Sequence, residues 1–347
     1  MNNMNLMEKI LTKLTRKHFY DLFVFNNPKA KINGENVEIT DIIILINNVV
    51  LCVQAKSRDY SKSSSDENMW LKNKVVKNAN KQHKDTLNYL SNNEIEFKNS
   101  LVVKKFSFNP NEHVICYITI FENKFITDYK RYHTSGTLGT YPVFSLESFT
   151  QVCEELMTPI DIIKFIPFRT SMAIEYDEKY RGTRLIEVKY DDEHSGFIHD
   201  FSDPNLITLF VVRSELIDKT ASMQQTKRFS NYIDELLQSK QDFKDEEDIQ
   251  WTNMILFKYS LLDSRKIKDF FECVDVVSTD INQYGIMDLN DGSKIIFLNS
   301  HYIDKDKDKM FYHFEQESFI EGIVVYADEE KIYSSYQKFK NVTDTPH

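Results

Sequence analysis

The stretch Glu38–Arg58, with the sequence EITDIIILINNVVLCVQAKSR, decides how the first part of this chain folds. It contains two apolar runs, Ile42–Ile46 and Val49–Val53, which are separated by Asn47 and Asn48. Runs of this length that are rich in Ile and Val and joined by a short polar pair are typical of a β-hairpin. We therefore expect two antiparallel strands here.

Polar side chains interrupt this apolar hairpin at one end only. Asp41 opens the first run, and Gln54 and Lys56 follow the second. Because side chains alternate between the two faces of a strand, Gln54 and Lys56 share one face. Antiparallel pairing brings Asp41 next to both of them. The sequence thus predicts an acid, an amide and an ammonium together at one end of an apolar sheet.

Two interpretations of this cluster are open. Burying a charge is costly unless the group has a partner, so Asp41 and Lys56 can form a structural ion pair. Alternatively, the oxygens of Asp41, of the Gln54 amide and of the Ala55 carbonyl are hard ligands that suit Mg²⁺. Lys56 beside such an ion can orient a water molecule and stabilise charge on a phosphate.

A known family has the same pattern: an acid opens one apolar strand, and an acid or Gln, any residue and Lys close the next. Through Asp41 and the run Gln54-Ala55-Lys56 the sequence resembles the PD-(D/E)xK nuclease superfamily, in particular Mrr-like branches in which Gln replaces the second acid. The resemblance implies an α/β fold with a restriction-endonuclease-like α-β-β-β-α-β core. It implies hydrolysis of a phosphodiester bond, with Asp41, Gln54 and Lys56 as catalytic residues.

The resemblance also implies a cofactor, Mg²⁺ or Mn²⁺, held by Asp41, Gln54 and the Ala55 carbonyl. Glu8, on the first predicted helix, is a candidate further ligand, since a first-helix acid joins the metal site in many members. Glu8 can equally be an acid that the positive end of the helix dipole favours. Gln in place of an acid removes one negative charge, which weakens metal binding and keeps a non-catalytic role open.

A long helix is predicted from about Asn68 to Leu90. Helical spacing places five residues on its apolar face: Val76, Ala79, His83, Leu87 and Leu90. We expect His83 to be a hydrogen-bonded core residue. The opposite face carries four lysines: Lys74, Lys77, Lys81 and Lys84. These lysines, together with Arg58, can hold a nucleic-acid backbone, although a solvated helix face explains the lysine stripe equally well.

Length and charge predict two domains. Residues 1–110 contain 17 basic and 11 acidic residues, whereas the rest of the 347-residue chain contains 26 basic and 42 acidic ones. We predict a nuclease-like domain over residues 1–170 and an acidic α+β domain over residues 171–347, so that the whole chain is α+β. The basic part favours a nucleic-acid partner, and the acidic part suits a protein partner or a regulatory role.

Other sequence features limit where and how the protein works. The sequence contains no apolar run of roughly 20 residues, the length of a membrane span, and no secretion signal. Its four cysteines are far apart in the sequence. We therefore expect a cytoplasmic protein with free thiols and no membrane partner. Whether the chain is a monomer or a homodimer stays open.

Three functions follow from these features. The first is a metal-dependent nuclease for which DNA is favoured over RNA as the substrate, in a bacterial antiviral or anti-plasmid setting by family analogy. The second is an inactive nuclease-like fold that binds nucleic acid or protein. The third is an interaction protein in which the acidic part matters most.

Overall fold

A computed structural model shows how the elements are arranged. It describes residues 6–32, 35–58, 66–99, 102–126, 129–179, 186–189, 195–198, 221–242, 246–280, 283–289, 292–302, 321–327 and 331–338. The chain divides into two units, residues 1–216 and 217–347. The predicted α+β class is confirmed, because helices occur beside sheets that mix parallel and antiparallel strands.

The first unit contains most of the described elements. Its strands are β1 (Val24–Asn26), β2 (Lys29–Ile32), β3 (Glu35–Glu38), β4 (Ile42–Ile46), β5 (Val49–Ser57), β6 (Ile95–Lys98), β7 (Val103–Phe106), β8 (Val114–Glu122), β9 (Tyr132–Ser135), β10 (Gly139–Ser145), β11 (Ile186–Lys189) and β12 (Ser195–Ile198). Its helices are α1 (Leu6–Phe19), α2 (Glu67–Trp70), α3 (Ala79–Asn92), α4 (Leu146–Leu156) and α5 (Pro159–Lys179).

The predicted hairpin is confirmed and lies inside a six-stranded sheet with the order β1-β4-β5-β8-β10-β9. β4 pairs antiparallel with β5, and Asn47 in the turn has a φ of 53°, a left-handed conformation that Asn tolerates better than most residues. β5, β8 and β10 run parallel to one another. β5 lies inside the sheet between β4 and β8, and helices α1 and α3 pack against it, so its continuous apolar run is buried. The order α1-β1-β4-β5-α3-β8 places one helix before and one inside this set of strands.

The long helix predicted after the hairpin forms, but with an irregular middle. A π-helical segment, Leu71–Asn78, joins α2 to α3. Because a turn with i→i+5 hydrogen bonds holds more than four residues, the residue four positions before Ala79 shares its buried face. Val75 is therefore buried, and Val76, which the regular spacing had placed in the core, is only half-buried. Ala79, His83 and Leu90 are buried as predicted.

Helix α5 continues past the predicted domain end at residue 170. Pro167 lies inside this helix. The helix continues because Phe165, Ile166 and Arg169, on either side of the proline, are all buried. The Nη1 of Arg169 donates to the carbonyl of Val143 on β10 at 3.2 Å, which ties this part of α5 to the sheet.

The second unit packs three helices, α6 (Met223–Asp242), α7 (Glu246–Ser260) and α8 (Ser264–Thr279), with a four-stranded sheet. The sheet order is β13 (Gly285–Asp288), β14 (Lys294–Asn299), β15 (Glu321–Ala327) and β16 (Ile332–Lys338). β13 pairs antiparallel with β14, and Gly292 between these strands has a φ of 83°. None of the described helices of either unit is long and apolar enough to cross a membrane.

A small polar network lies in the core of the second unit. The hydroxyls of Tyr232 and Tyr259 each lie 2.5 Å from the Oγ of Ser334 on β16. Both tyrosines are buried among aromatic rings, including that of Phe270.

Candidate active site

The hairpin register brings Asp41 and Gln54 together. Ile42 pairs with Val53, so the residues just outside this pair, Asp41 and Gln54, meet at the open end of the hairpin. Lys56 follows two residues later on the same face of β5. The backbone carbonyl of Asp41 accepts from the amide of Asn27 at 2.8 Å, which holds this bend against the turn after β1.

Three oxygen atoms of the predicted site converge on one cation. The Nζ of Lys56 lies 3.1 Å from the Oε1 of Gln54 and 3.0 Å from the carbonyl oxygen of Ala55. It lies 3.8 Å from the Oδ2 of Asp41, which is an ion pair but too long for a hydrogen bond. The same Oδ2 accepts from the backbone amide of Ala55 at 2.5 Å. The predicted residues therefore form one cluster.

The cluster is largely buried but not sealed. The side chains of Asp41 and Lys56 each keep 14% of their surface exposed, whereas Gln54 is fully buried. Burial raises the pKa of Asp41, and the Lys56 ammonium and the Ala55 amide oppose that rise. Burial likewise lowers the pKa of Lys56, and three carboxylates, led by Asp41, oppose that fall. Burial thus disfavours the charged forms of Asp41 and Lys56, and each group favours the charged form of the other.

Two further acids lie close enough to act on this cluster. The charges of Glu8 and Glu38 both raise the pKa of Lys56 against the effect of its burial. Burial raises the pKa of Glu38, and the charges of Asp41 and Glu8 raise it further. Glu8, predicted as a candidate ligand, therefore lies within electrostatic reach of the site. Glu38 was not predicted, although as the last residue of β3 it stands only three positions before Asp41.

A second set of buried polar groups lies next to Gln54, on the interior side of the cluster. The Nε2 of Gln54 donates to the hydroxyl of Thr40 at 3.0 Å. Thr119 is the β8 partner of Gln54, and its hydroxyl lies 3.1 Å from the Nε2 of His83 on α3. Burial lowers the pKa of His83 to about 3, with the nearby Lys56 charge contributing in the same direction. His83 is therefore a neutral, hydrogen-bonded core residue, as expected.

Arg58 lies in a different environment from the predicted lysine face. Its guanidinium is buried, forms an ion pair with Glu67 at 3.2 Å and lies 5.9 Å from the ring centroid of Trp70. Glu67 also accepts a hydrogen bond from the side chain of Asn123, just after β8. Arg58 thus links β5, α2 and the end of β8, and this inward position departs from the predicted contact with a nucleic-acid backbone.

The four lysines on the helix are placed as the spacing predicted. Lys74 and Lys77 lie on the π-helical segment, and Lys81 and Lys84 lie on α3. All four side chains are exposed. The α3 helix packs against β5, and its Thr86 hydroxyl donates to the carbonyl of Ile39 at 2.6 Å. The lysines therefore belong to the helix that covers the site's side of the sheet.

The donor set fits Mg²⁺ or Mn²⁺. One carboxylate, one amide oxygen and one carbonyl oxygen already surround the Lys56 ammonium, which shows that this arrangement accommodates a positive charge. Mg²⁺ prefers such oxygens and keeps several waters, so a short protein ligand set suffices. In the part of the chain that the structure describes, no group of three or more His, Cys, Asp or Glu side chains is arranged to hold a metal ion. The candidate set differs from such groups because only one of its three oxygens comes from a carboxylate.

We compared the chain with known protein families, curated proteins and solved structures. No protein-family model matches the chain, and neither does any curated protein or any solved structure.

Proposed function

We propose that this protein is a metal-dependent nuclease that hydrolyses phosphodiester bonds in nucleic acid, with DNA as the expected substrate. The observation that carries the proposal is the convergence of three oxygens, from Asp41, Gln54 and Ala55, on the Lys56 ammonium at the partly open end of the hairpin. The resemblance of these residues to the PD-(D/E)xK pattern supports the same function.

Each residue has a definite role in this proposal. Asp41, Gln54 and the Ala55 carbonyl would hold the metal ion, and Glu8 and Glu38 add negative charge nearby. A bound Mg²⁺ supplies Lewis-acid chemistry, polarising a phosphoryl oxygen and lowering the pKa of a bound water. Lys56 donates hydrogen bonds to the attacking water or to the phosphoryl oxygen, where negative charge develops. The exposed lysines contact backbone phosphates without reading the base sequence.

A cleavage assay tests this function. Purified protein is incubated with labelled single- and double-stranded DNA and RNA, with Mg²⁺, Mn²⁺ or EDTA. The Asp41→Asn variant keeps an oxygen next to the Ala55 amide but loses the charge that attracts the metal. We expect its rate to fall at least about 100-fold, since the metal contributes several kcal/mol to catalysis. Asp85→Asn, at an exposed position of α3, is the matched control and should retain full activity.

A second candidate function has its own supporting observation. Lys56 already neutralises Asp41 and fills the centre of the three oxygens, so the cluster is satisfied without a metal. This favours a nuclease-like fold that binds nucleic acid without cutting it. Cleavage that is equal in unsubstituted protein and Asp41→Asn, or absent with every metal, would reject the nuclease. A gel shift that survives Asp41→Asn under those conditions would support the binding function.

A further inference from the structure

We propose that Thr40 is a positioning residue that fixes the Gln54 side-chain amide with its oxygen toward the metal site. This inference rests on the proposed function, because it concerns how one ligand of that site is oriented. It assigns a role to a residue that belongs to neither the metal ligands nor the lysine face.

The hydroxyl of Thr40 can only accept a hydrogen bond from Gln54. A hydroxyl has one proton, and Thr40 donates it to the carbonyl of Val53 at 2.9 Å. A backbone carbonyl has no proton to give in return, so this direction is fixed. The Thr40 oxygen therefore presents only lone pairs to its other neighbour, the Nε2 of Gln54 at 3.0 Å. Only the NH₂ end of the amide satisfies this contact.

The opposite end of the amide is fixed by the same logic. The Lys56 ammonium has three donors and no acceptor, and it lies 3.1 Å from the Oε1 of Gln54. In a reversed amide, the Gln54 NH₂ group would face the Lys56 ammonium, so that two donors would meet. At the other end, the Gln54 oxygen would face the lone pairs of the Thr40 oxygen. Both ends therefore demand one orientation, in which Gln54 turns its oxygen to the site.

The two contacts of the Gln54 amide, with Thr40 and with Lys56, form a clamp, and this clamp also explains why glutamine suits position 54. Glutamate would present an acceptor oxygen at both ends, and the one beside Thr40 would face a hydroxyl whose proton is already used. Either that carboxylate oxygen would lack a donor, or Thr40 would have to give up its hydrogen bond to the Val53 carbonyl. The surroundings of Gln54 are thus built for an amide, so its presence is not a sign of a degraded acidic site.

The backbone around Thr40 gives the clamp a rigid base. Thr40 is buried and stands directly before Asp41, so one short segment supplies both a metal ligand and the support of a second ligand. The preceding Ile39 accepts from Thr86 of α3 at 2.6 Å through its carbonyl and donates to the Pro28 carbonyl at 2.9 Å. These bonds hold the segment on both sides.

The test compares Thr40→Val, which removes the hydroxyl at nearly constant volume, with Thr40→Ser, which keeps it. Thr170→Val is the matched control, because Thr170 is also a buried threonine of the first unit with one side-chain bond to a carbonyl. Three quantities are measured for each protein: Mn²⁺ affinity by calorimetry, the cleavage rate, and hydrogen exchange of the Gln54 side-chain amide by NMR. The Gln54 signal is assigned from its loss in Gln54→Ala.

We expect Thr40→Val to lower Mn²⁺ affinity and the cleavage rate roughly 10- to 100-fold, the usual effect of losing a group that orients a metal ligand. Its Gln54 amide should also exchange faster, and Thr40→Ser should restore all three quantities. In a Gln54→Ala background, Thr40→Val should have no further effect on Mn²⁺ affinity, because Thr40 acts only through Gln54.

The outcomes separate this inference from the proposed function. Metal affinity and cleavage that are unchanged in Thr40→Val, or that fall equally in Thr170→Val, would overturn the positioning role while the nuclease survives. Unsubstituted protein that neither binds metal nor cleaves would reject the nuclease. The exchange comparison would still decide, in that case, whether Thr40 holds the Gln54 amide, and equal exchange in Thr40→Val and unsubstituted protein would overturn it.

Discussion

The hairpin network of the first unit and the hydroxyl network of the second unit treat polar groups differently. In the second unit, the hydroxyls of Tyr232 and Tyr259 both bond to Ser334, and all three groups are neutral. In the first unit, the network ends in two charged groups, Asp41 and Lys56, each of which keeps some exposure to solvent. We call the all-neutral tyrosine network closed, and we call the network that ends in the Asp41–Lys56 ion pair open.

This difference indicates what each network is for. Burial raises the pKa of Tyr232 to about 12, so its hydroxyl stays neutral over the physiological range at little cost. Burial shifts the pKa values of Asp41 and Lys56 in opposite directions, and the charge of each group opposes the shift of the other. A buried ion pair is weak evidence for stability. Groups with perturbed pKa values near an opening are typical of functional sites, and closed neutral networks are typical of structural cores.

The largest expected effect concerns the open network. Lys56→Met keeps the length of the side chain but removes the ammonium that faces the three oxygens. We expect cleavage to fall about 100- to 10,000-fold, the range for losing a group that handles a proton or charge in the transition state. The measurement is the single-turnover cleavage rate with saturating Mg²⁺.

Lys98→Met is the control for that substitution, since Lys98 is exposed on β6. Its rate should equal that of the unsubstituted protein. If Lys56→Met cleaved as fast as Lys98→Met, the open network would be no more functional than the closed one.

The closed network should show the reverse pattern. Tyr259→Phe leaves the Ser334 hydroxyl and the aromatic packing in place but breaks one bond of the network. We expect the second unit to lose about 0.5–1.5 kcal/mol of unfolding free energy, the usual net contribution of one hydrogen bond, because Ser334 keeps its bond to Tyr232. Chemical denaturation measures this loss.

Cleavage by Tyr259→Phe should be unchanged at a temperature where the variant is folded. A large loss of activity with unchanged stability would show that the hydroxyl network has a functional role, and the contrast between the two networks would fail.

The pH dependence of stability should come from the first unit rather than from the tyrosine network. Burial lowers the pKa of His83 to about 3, whereas an unfolded histidine titrates near 6.5. Below pH 6.5 the unfolded chain therefore binds a proton that the folded chain does not bind. This contribution to stability is complete above pH 6.5 and is lost as the pH falls toward 3. At pH 5 the loss from this one residue is about 2 kcal/mol relative to pH 8.

The measurement is the unfolding free energy at pH 8 and pH 5 for unsubstituted protein and for His83→Asn. Between pH 8 and pH 5 the unfolding free energy of His83→Asn should fall by about 2 kcal/mol less than that of the unsubstituted protein. His18, whose pKa burial lowers to about 4, contributes to both proteins alike. The same pH dependence in both proteins would mean that His83 is charged or exposed in the folded state.

The smallest expected effect concerns the four exposed lysines of the long helix. Lys81→Gln removes one exposed charge from α3 without touching the core. If Lys81 contacts a phosphate, the slope of log affinity against log salt should fall by about one. Gel shifts over a range of salt concentrations measure it, and Lys98→Gln serves as the control. An unchanged slope would assign the lysine face to plain solvation.

The sequence was sufficient for features that depend on local periodicity. The hairpin and the meeting of Asp41, Gln54 and Lys56 follow from strand alternation and a two-residue turn, both of which are local. Thr40 could not be assigned a role in this way, because it acts through the Gln54 side chain fourteen positions later in the chain.

Arg58 and the irregular helix show the same limit. An arginine just after a strand is consistent with surface exposure, but contacts with Glu67 and Trp70 place the Arg58 guanidinium in the interior. The π-helical segment changes which residues of the long helix face the core. Regular α-helical spacing therefore predicted Val76 as a core residue, whereas the structure buries Val75. Both outcomes depend on tertiary packing, which propensity and periodicity do not encode.

A crystal grown with a DNA oligonucleotide and Mn²⁺, measured for anomalous scattering, would show whether the end of the hairpin holds a metal ion. We expect a Mn²⁺ peak bounded by the Asp41 carboxylate, the Gln54 amide oxygen and the Ala55 carbonyl oxygen, with the Lys56 ammonium turned from their centre toward the phosphate. No peak at this position, with the Lys56 ammonium still between the same three oxygens beside bound DNA, would contradict the proposed metal site.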